Sequence, residues 1–310
     1  MKAENITVGA NTAYPLKGSL TLPDDLSAPV PAAVLVHGSG PSNMDERIMK
    51  LTPFKDLSEG LAKLGVATLR YDKRTFTYKK ELRKASPTVW DETIEDALFA
   101  IDILKNDPRV DRERIFIIGH SMGAMLAPRI DAEGGNVRGI IMMAGTPFRL
   151  EEIVLRQLKE SASGSFLGKI VGLEYKVFSK KFSGLYEMSD EMARKKKFAG
   201  NLTLYYFKEM GRKTAADYLS ESEKPLLVMQ GGKDFQVLPD DDFKKLRELF
   251  ESRANTVFRL YPDLNHLFVN AIYSDILKAS KEYSQERHIG EEVIGDIASF
   301  ILGNDLSSAL

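Results

Sequence analysis

The chain has 310 residues, a formal net charge of -1 and no cysteine. Near-neutral charge argues against a general nucleic-acid or acidic-surface binder, and the missing cysteine excludes disulfides, thiolate metal sites and a thiol nucleophile. The length exceeds a compact α/β domain of roughly 200–250 residues, so one large domain, or a domain with an insertion, is expected.

Residues 1–18 contain no apolar run of the signal-peptide kind, and no apolar stretch is long enough to cross a membrane. A cytoplasmic protein without membrane contact is the expectation. Residues 4–9 and 16–22 read as an opening antiparallel pair. Continuous apolar runs then follow at 32–36 (AAVLV), 66–70 (VATLR), 115–118 (IFII), 139–144 (GIIMMA), 225–230 (PLLVMQ) and 256–261 (TVFRLY). Unbroken rather than alternating hydrophobicity suits strands buried on both faces, as in a parallel sheet. Between the runs, apolar residues recur at helical spacing: Phe54, Leu57, Leu61 and Leu64; Ile94, Ala97, Leu98, Ile101 and Leu104; Phe243, Leu246 and Phe250; Val293, Ile294, Ile297 and Ile301. Asp91 and Asp240 are placed to cap two of these helices. The alternation predicts βαβ units with right-handed crossovers. One stretch, 147–224, breaks the rhythm. It shows no convincing strand, helical patterns at 150–159, 191–198 and 202–219, and breaks at 161–165 and 181–184. It is expected to be a helical cap inserted into a core made of 1–146 and 225–310.

Gly119-His120-Ser121-Met122-Gly123 follows the run IFII directly and precedes a helical pattern. A sharp strand-to-helix turn needs small residues two before and two after its central serine. Such a turn lifts the Ser121 hydroxyl to the edge of the sheet. The Met122 amide then lies at a helix N-terminus, where partial positive charge stabilises an oxyanion. The segment IIGHSMGA resembles the nucleophile elbow of the α/β-hydrolase family. That resemblance implies a mostly parallel eight-stranded sheet flanked by helices, and partners in the chain order serine, acid, histidine.

Of the four histidines, His37 precedes the serine, His120 lies inside the elbow and His288 opens the last helical pattern as a surface or capping residue. His266, in the loop after TVFRLY, is the expected base. Asp234, in the loop GGKDFQV after PLLVMQ, resembles the family's acid. Asp240, Asp241 and Asp242 (a helix start) and Asp263 (a turn) remain alternatives. The loop His37-Gly38-Ser39-Gly40-Pro41 matches the family's oxyanion loop, with the Ser39 amide as second donor beside Met122, and departs from the HGGG form. The run Arg70-Tyr71-Asp72-Lys73-Arg74 resembles another family segment and is expected to form structural pairs beneath the site. His37, Gly38, His120, Arg74 and Phe235 are pocket candidates.

The overall pattern is similar to bacterial esterases related to the cinnamoyl and feruloyl esterases and to prolyl-oligopeptidase-type catalytic domains. The resemblance implies hydrolysis of a small-molecule carboxylic ester through an acyl-enzyme. No metal is expected, since no His–His or His–carboxylate spacing falls on one helix face, and no other cofactor, nucleic-acid or membrane partner is expected; a homodimer is compatible with the reading. An acyl-CoA thioesterase, a lid-bearing serine aminopeptidase with Glu151 or Glu152 binding a substrate amine, and a non-catalytic ligand receptor are the alternatives. The aromatic residues of 147–224, among them Phe148, Phe166, Phe178, Tyr206 and Phe207, suit a cap core and an aromatic-friendly pocket.

Overall fold

The apolar runs from 32–36 to 225–230 become strands because both of their faces are covered; the run 256–261, expected to be buried likewise, is instead the partly exposed edge strand of the sheet, with Leu260 open to solvent. In chain order the strands are β1 (Lys2–Val8), β2 (Leu16–Leu22), β3 (Val30–Val36), β4 (Ala67–Tyr71), β5 (Val110–His120), β6 (Gly139–Met143), β7 (Lys197–Ala199), β8 (Leu202–Thr203), β9 (Leu226–Gly231) and β10 (Thr256–Tyr261). The computed structural model describes residues 1–161, 166–200 and 202–304. Eight strands form one sheet in the order β1-β2-β4-β3-β5-β6-β9-β10. The β1–β2 and β2–β4 pairs are antiparallel and every other pair is parallel. This is the expected mostly parallel eight-stranded sheet.

Alternate residues of the inner strands feed two separate cores. Ala32, Val34, Val36, Ile115 and Ile117 join one. Ala33, Leu35, Phe116 and Ile118 join the other. The helix Pro53–Lys63 starts on a proline, carries Asp56 in its first turn and buries Phe54, Leu57 and Leu61. Each such side chain contributes about 1.5–3 kcal/mol of burial. The helix Glu291–Leu302 packs on the same face through Val293, Ile297 and Ile301. On the opposite face, Glu95–Asn106 buries Ala97, Ile101 and Leu104.

Neither expected cap acts as one. Asp91 accepts from the Thr88 amide at 2.8 Å, inside the first turn. Asp240 lies within the turn Pro239–Phe243, and it is Asp242 that reaches back to the Leu238 amide, at 2.6 Å.

Residues 147–224 hold the helices Leu150–Ser161, Phe166–Phe182, Asp190–Lys195, Leu204–Gly211 and Ala215–Ser220. They also hold the β7–β8 hairpin, which the sequence does not announce. The helix expected over 191–198 stops at Lys195, and that expected over 202–219 is split by a capping box at Thr214 and Asp217. The expected break at 161–165 lies, from 162 on, outside the described residues, as does the Phe166 side chain. Phe178, Phe182, Phe198 and Phe207 stack into one aromatic cluster with centroids 4.4–5.0 Å apart. Two helices of this segment are tied to the core. Arg156 pairs with the buried Asp242, and Gln157 Nε2 donates to the Gln236 carbonyl at 2.9 Å. From Leu204–Gly211, the Tyr206 hydroxyl donates to Glu92 at 2.8 Å. Among the described residues, no helix is long and apolar enough to cross a membrane.

Candidate active site

β5 ends at His120, and the chain reverses into the helix Met122–Ile130 through Ser121, whose φ and ψ are 54° and -117°. Holding a non-glycine residue there costs about 1–3 kcal/mol and needs an enforcing frame. The frame is steric and polar. The Ser121 amide donates to the Met143 carbonyl at 2.8 Å. A Cβ on Gly119 would lie 2.3 Å from the Gly123 carbonyl oxygen, and one on Gly123 would lie 2.1 Å from that of Val36. Gly123→Ala should therefore lower stability by about 3 kcal/mol or abolish soluble expression, as read by thermal melting, since only backbone stands in the way. The Ser121 side chain makes no capping bond to its helix, so its hydroxyl is not spent on structure.

β9 and β10 deliver the other two groups to the same edge. Their parallel register pairs Gly231 with Tyr261, which puts the loops after them side by side. The Asp234 carboxylate accepts from His266 Nδ1 at 2.7 Å and Gln230 Nε2 at 2.9 Å through one oxygen. Its other oxygen accepts the Gln236 and Val237 amides at 2.7 and 3.0 Å. With both oxygens occupied and no exposed surface, the carboxylate has one orientation. The His266 backbone is fixed from behind. His120 Nε2 meets its carbonyl at 2.9 Å, and the two imidazole rings lie 4.8 Å apart. Asn265 Oδ1 accepts the Leu267 amide at 2.9 Å, while its amide group donates to Glu282 at 2.6 Å. Burial pushes the Glu282 carboxyl up, but the Tyr273 amide, Asn265 and Arg287 outweigh it and hold the group below the usual range. Among the described residues no hydrogen bond joins the Ser121 hydroxyl to the His266 ring; such bonds are often long before substrate binds.

Ser39, Ser121 and Met122 share the wall of a cavity of 680 Å³. Met125, Leu150, Ile153 and Phe207 make much of its remaining surface apolar, and Glu92 and Tyr206 add polar groups. A larger groove of 1480 Å³ is lined by residues such as Arg112, Arg138, Lys224 and Asn255, which precede or open their strands. It therefore lies at the opposite sheet edge, whereas ligands of open α/β sheets bind at the carboxyl ends of the strands.

The five sequence-derived pocket candidates lie behind the wall rather than in it. His37 is buried against Phe54 and Tyr71, with Nε2 3.0 Å from the Asn43 carbonyl. Gly38 offers only backbone, and its amide is taken by Glu46 at 2.7 Å. His120 faces Glu46 across 3.0 Å. Arg74 is committed to Asp96 and Glu95, and Phe235 packs with Leu51, Leu267 and Tyr283. The run 70–74 makes the structural pairs expected of it: Arg70 with Asp45, Lys73 with Glu92, Arg74 with Asp96. Of the alternative acids, Asp242 is spent on Thr146, Arg156 and Leu238. His288 is exposed and pairs with Asp56. Glu46 and Glu92 carry no sequence signal, because their partners are remote in the chain.

Burial depresses the His37 imidazole to about 4, with Glu46 opposing and Lys73 and His120 reinforcing the shift. The unfolded chain therefore binds a proton that the fold refuses between roughly pH 6.5 and 4, and stability falls as pH drops through that window. The loss should reach about 3 kcal/mol, and His37→Gln, which keeps a donor for Asn43, should flatten the acid limb of a melting-temperature profile.

The family model described as serine aminopeptidase, S33, matches residues 34–271. Esterase EstD of Thermotoga maritima is 36% identical over 295 residues, 94% of this chain. The chain spans 66% of that relative's length. Est1E from Butyrivibrio proteoclasticus superposes with a TM-score of 0.58 at 17% identity, covering 97% of this chain and 99% of that one. A Pyrococcus furiosus esterase does so with 0.57 at 16% identity, covering 97% and 91%. The elbow at the end of β5, the sheet order and the match across most of the length agree: the chain is an α/β-hydrolase and belongs to the serine aminopeptidase S33 family.

Proposed function

We propose that the protein is a serine carboxylesterase. The observation that carries this is the buried Asp234–His266 pair, 2.7 Å apart, brought to the edge where the strained Ser121 turn opens into the cavity. That a relative 36% identical to this chain is an esterase supports an ester over other acyl substrates. Ser121 Oγ bonds to the acyl carbon while its proton passes to His266 Nε2. Asp234 fixes the tautomer by accepting from Nδ1 and stabilises the imidazolium. The Ser39 and Met122 amides hold the oxyanion. As the ester C–O bond breaks, the proton moves from His266 to the departing alkoxide. Water then repeats both steps on the acyl-enzyme and releases the acid.

Residues 147–224 act as a cap that supplies the acyl pocket, through Leu150, Ile153, Phe198 and Phe207. Apolar walls reward chain length at about 0.8 kcal/mol per methylene, so kcat/KM should rise about tenfold from p-nitrophenyl acetate to butyrate. Aromatic acyl groups fit the same walls, and a neighbour of this fold, Est1E, binds ferulic acid. The peptidase reading loses its anchor. Glu151 is buried against the Tyr186 hydroxyl and Glu152 holds the Arg149 amide, so neither meets a substrate amine in the cavity. The test is hydrolysis of p-nitrophenyl butyrate together with labelling by a fluorophosphonate, with peptide p-nitroanilides alongside. Ester turnover, one label per chain and no amide turnover are expected. Folded protein that neither labels nor hydrolyses the ester ends the proposal.

A further inference from the structure

The reaction above gives no role to four charged or ionisable side chains buried around the turn after β3. Glu46 and His120 each keep 5% of their side-chain surface, Lys73 2% and Glu92 6%. Burying so much polarity costs more than an apolar filling would, which asks for a reason beyond stability. The reason lies in what they touch. The Gly38 amide donates to Glu46 Oε1 at 2.7 Å, and the Gly38 carbonyl accepts from Lys73 Nζ at 2.8 Å. Both grips are backed. Glu46 Oε2 lies 3.0 Å from His120, whose other nitrogen meets the His266 carbonyl. Lys73 lies 2.8 Å from Glu92, which accepts the Tyr206 hydroxyl at 2.8 Å.

The Gly38 carbonyl and the Ser39 amide belong to one planar, trans peptide, so fixing the C=O fixes the N–H in the opposite sense. Glycine at 38 offers no side chain to resist rotation of that peptide. We propose that Lys73 and Glu46 are positioning residues that aim the Ser39 amide at the oxyanion, and that Glu92 and Tyr206 tie this aim to the cap helix Leu204–Gly211. The inference rests on the esterase reading above.

Lys73→Met/Glu92→Leu removes the grip without leaving a lone buried charge, which is the replacement a fold tolerates best. With active sites counted by fluorophosphonate titration to completion, kcat for p-nitrophenyl butyrate should fall about 10–100-fold with KM within about threefold. Affinity for a trifluoromethyl ketone, which forms an oxyanion adduct on Ser121, should fall by the same factor. Tyr206→Phe, which leaves every charge paired and keeps the protein testable if the double variant does not fold, should lower both about 3–10-fold. A wild-type kcat per titrated site in either folded variant, or a loss confined to KM, overturns the positioning role. A wild-type protein that neither hydrolyses the ester nor binds the ketone removes the esterase reading and the inference with it; an active wild type beside unaltered variants removes the inference alone.

Discussion

Ser121→Ala is expected to cut kcat for p-nitrophenyl butyrate by about 10⁵-fold and leave the melting temperature within about 2 °C of wild type. Both halves follow from the elbow. The hydroxyl is the only atom group removed, and it makes no capping bond to Met122–Ile130. Alanine carries the same Cβ, so it meets the same backbone strain at φ 54°. Ser121→Gly separates the two effects. It should be equally inactive but more stable by about 1 kcal/mol, because glycine occupies positive φ without the Cβ penalty. A stability gain would show that the turn is held under load for the sake of the hydroxyl. Ser121→Ala protein with more than a few per cent of wild-type turnover would mean that another residue is the nucleophile.

Asp234→Asn should lower kcat by about 10⁴-fold and, unlike Ser121→Ala, also destabilise the fold. All the groups around Asp234 that approach its oxygens are donors: the Gln236 and Val237 amides on one, Gln230 and His266 on the other. An amide has one acceptor oxygen. Its NH₂ must therefore face either the backbone pair or the histidine. Facing the backbone leaves two amides unsatisfied at about 1–3 kcal/mol each. Facing His266 forces the proton onto Nε2, the nitrogen that accepts from Ser121 in the proposed reaction. Thermal melting and single-turnover hydrolysis on one preparation distinguish these outcomes. Asp242→Asn is the matched control. It should destabilise the Arg156 contact while sparing the chemistry, since Asp242 contacts Arg156 and Thr146 and not His266.

Much of this site is legible in the sequence because it is built from local signals. A buried strand followed by a small-x-Ser-x-small turn is contiguous, and so is each loop that carries Asp234 or His266. What escapes is pairing beyond the reach of a single turn, strand or loop motif. The contacts of Gly38 with Glu46 and Lys73, and of Glu92 with Tyr206, span 8, 35 and 114 residues, and nothing in the flanking sequence marks one partner for the other. The charged run at 70–74 hints at pairs but not at what they hold. The β7–β8 hairpin is missed for a different reason: strands of three and two residues are too short to show a period, and each is read into a neighbouring helical pattern, 191–198 for one and 202–219 for the other. Arg74 and Phe235 are pocket candidates in the sequence, yet each turns inward to a partner there, Asp96 for one and an apolar cluster for the other.

β6 and β9 are hydrogen-bonded neighbours in register from Ile140 with Leu226 onward, although 82 residues, 144 to 225, lie between them. A parallel crossover needs about a dozen residues. Loop-closure entropy grows only logarithmically, at about 0.6 kcal/mol per doubling, so lengthening a minimal crossover to this size costs about 2 kcal/mol. The sheet is thus nearly indifferent to what the connection contains. On the esterase reading proposed above, mutations that reshape, extend or replace the segment change which esters are accepted while the strands that lead to Ser121, Asp234 and His266 stay in place, and substrate range is free to drift faster than the chemistry.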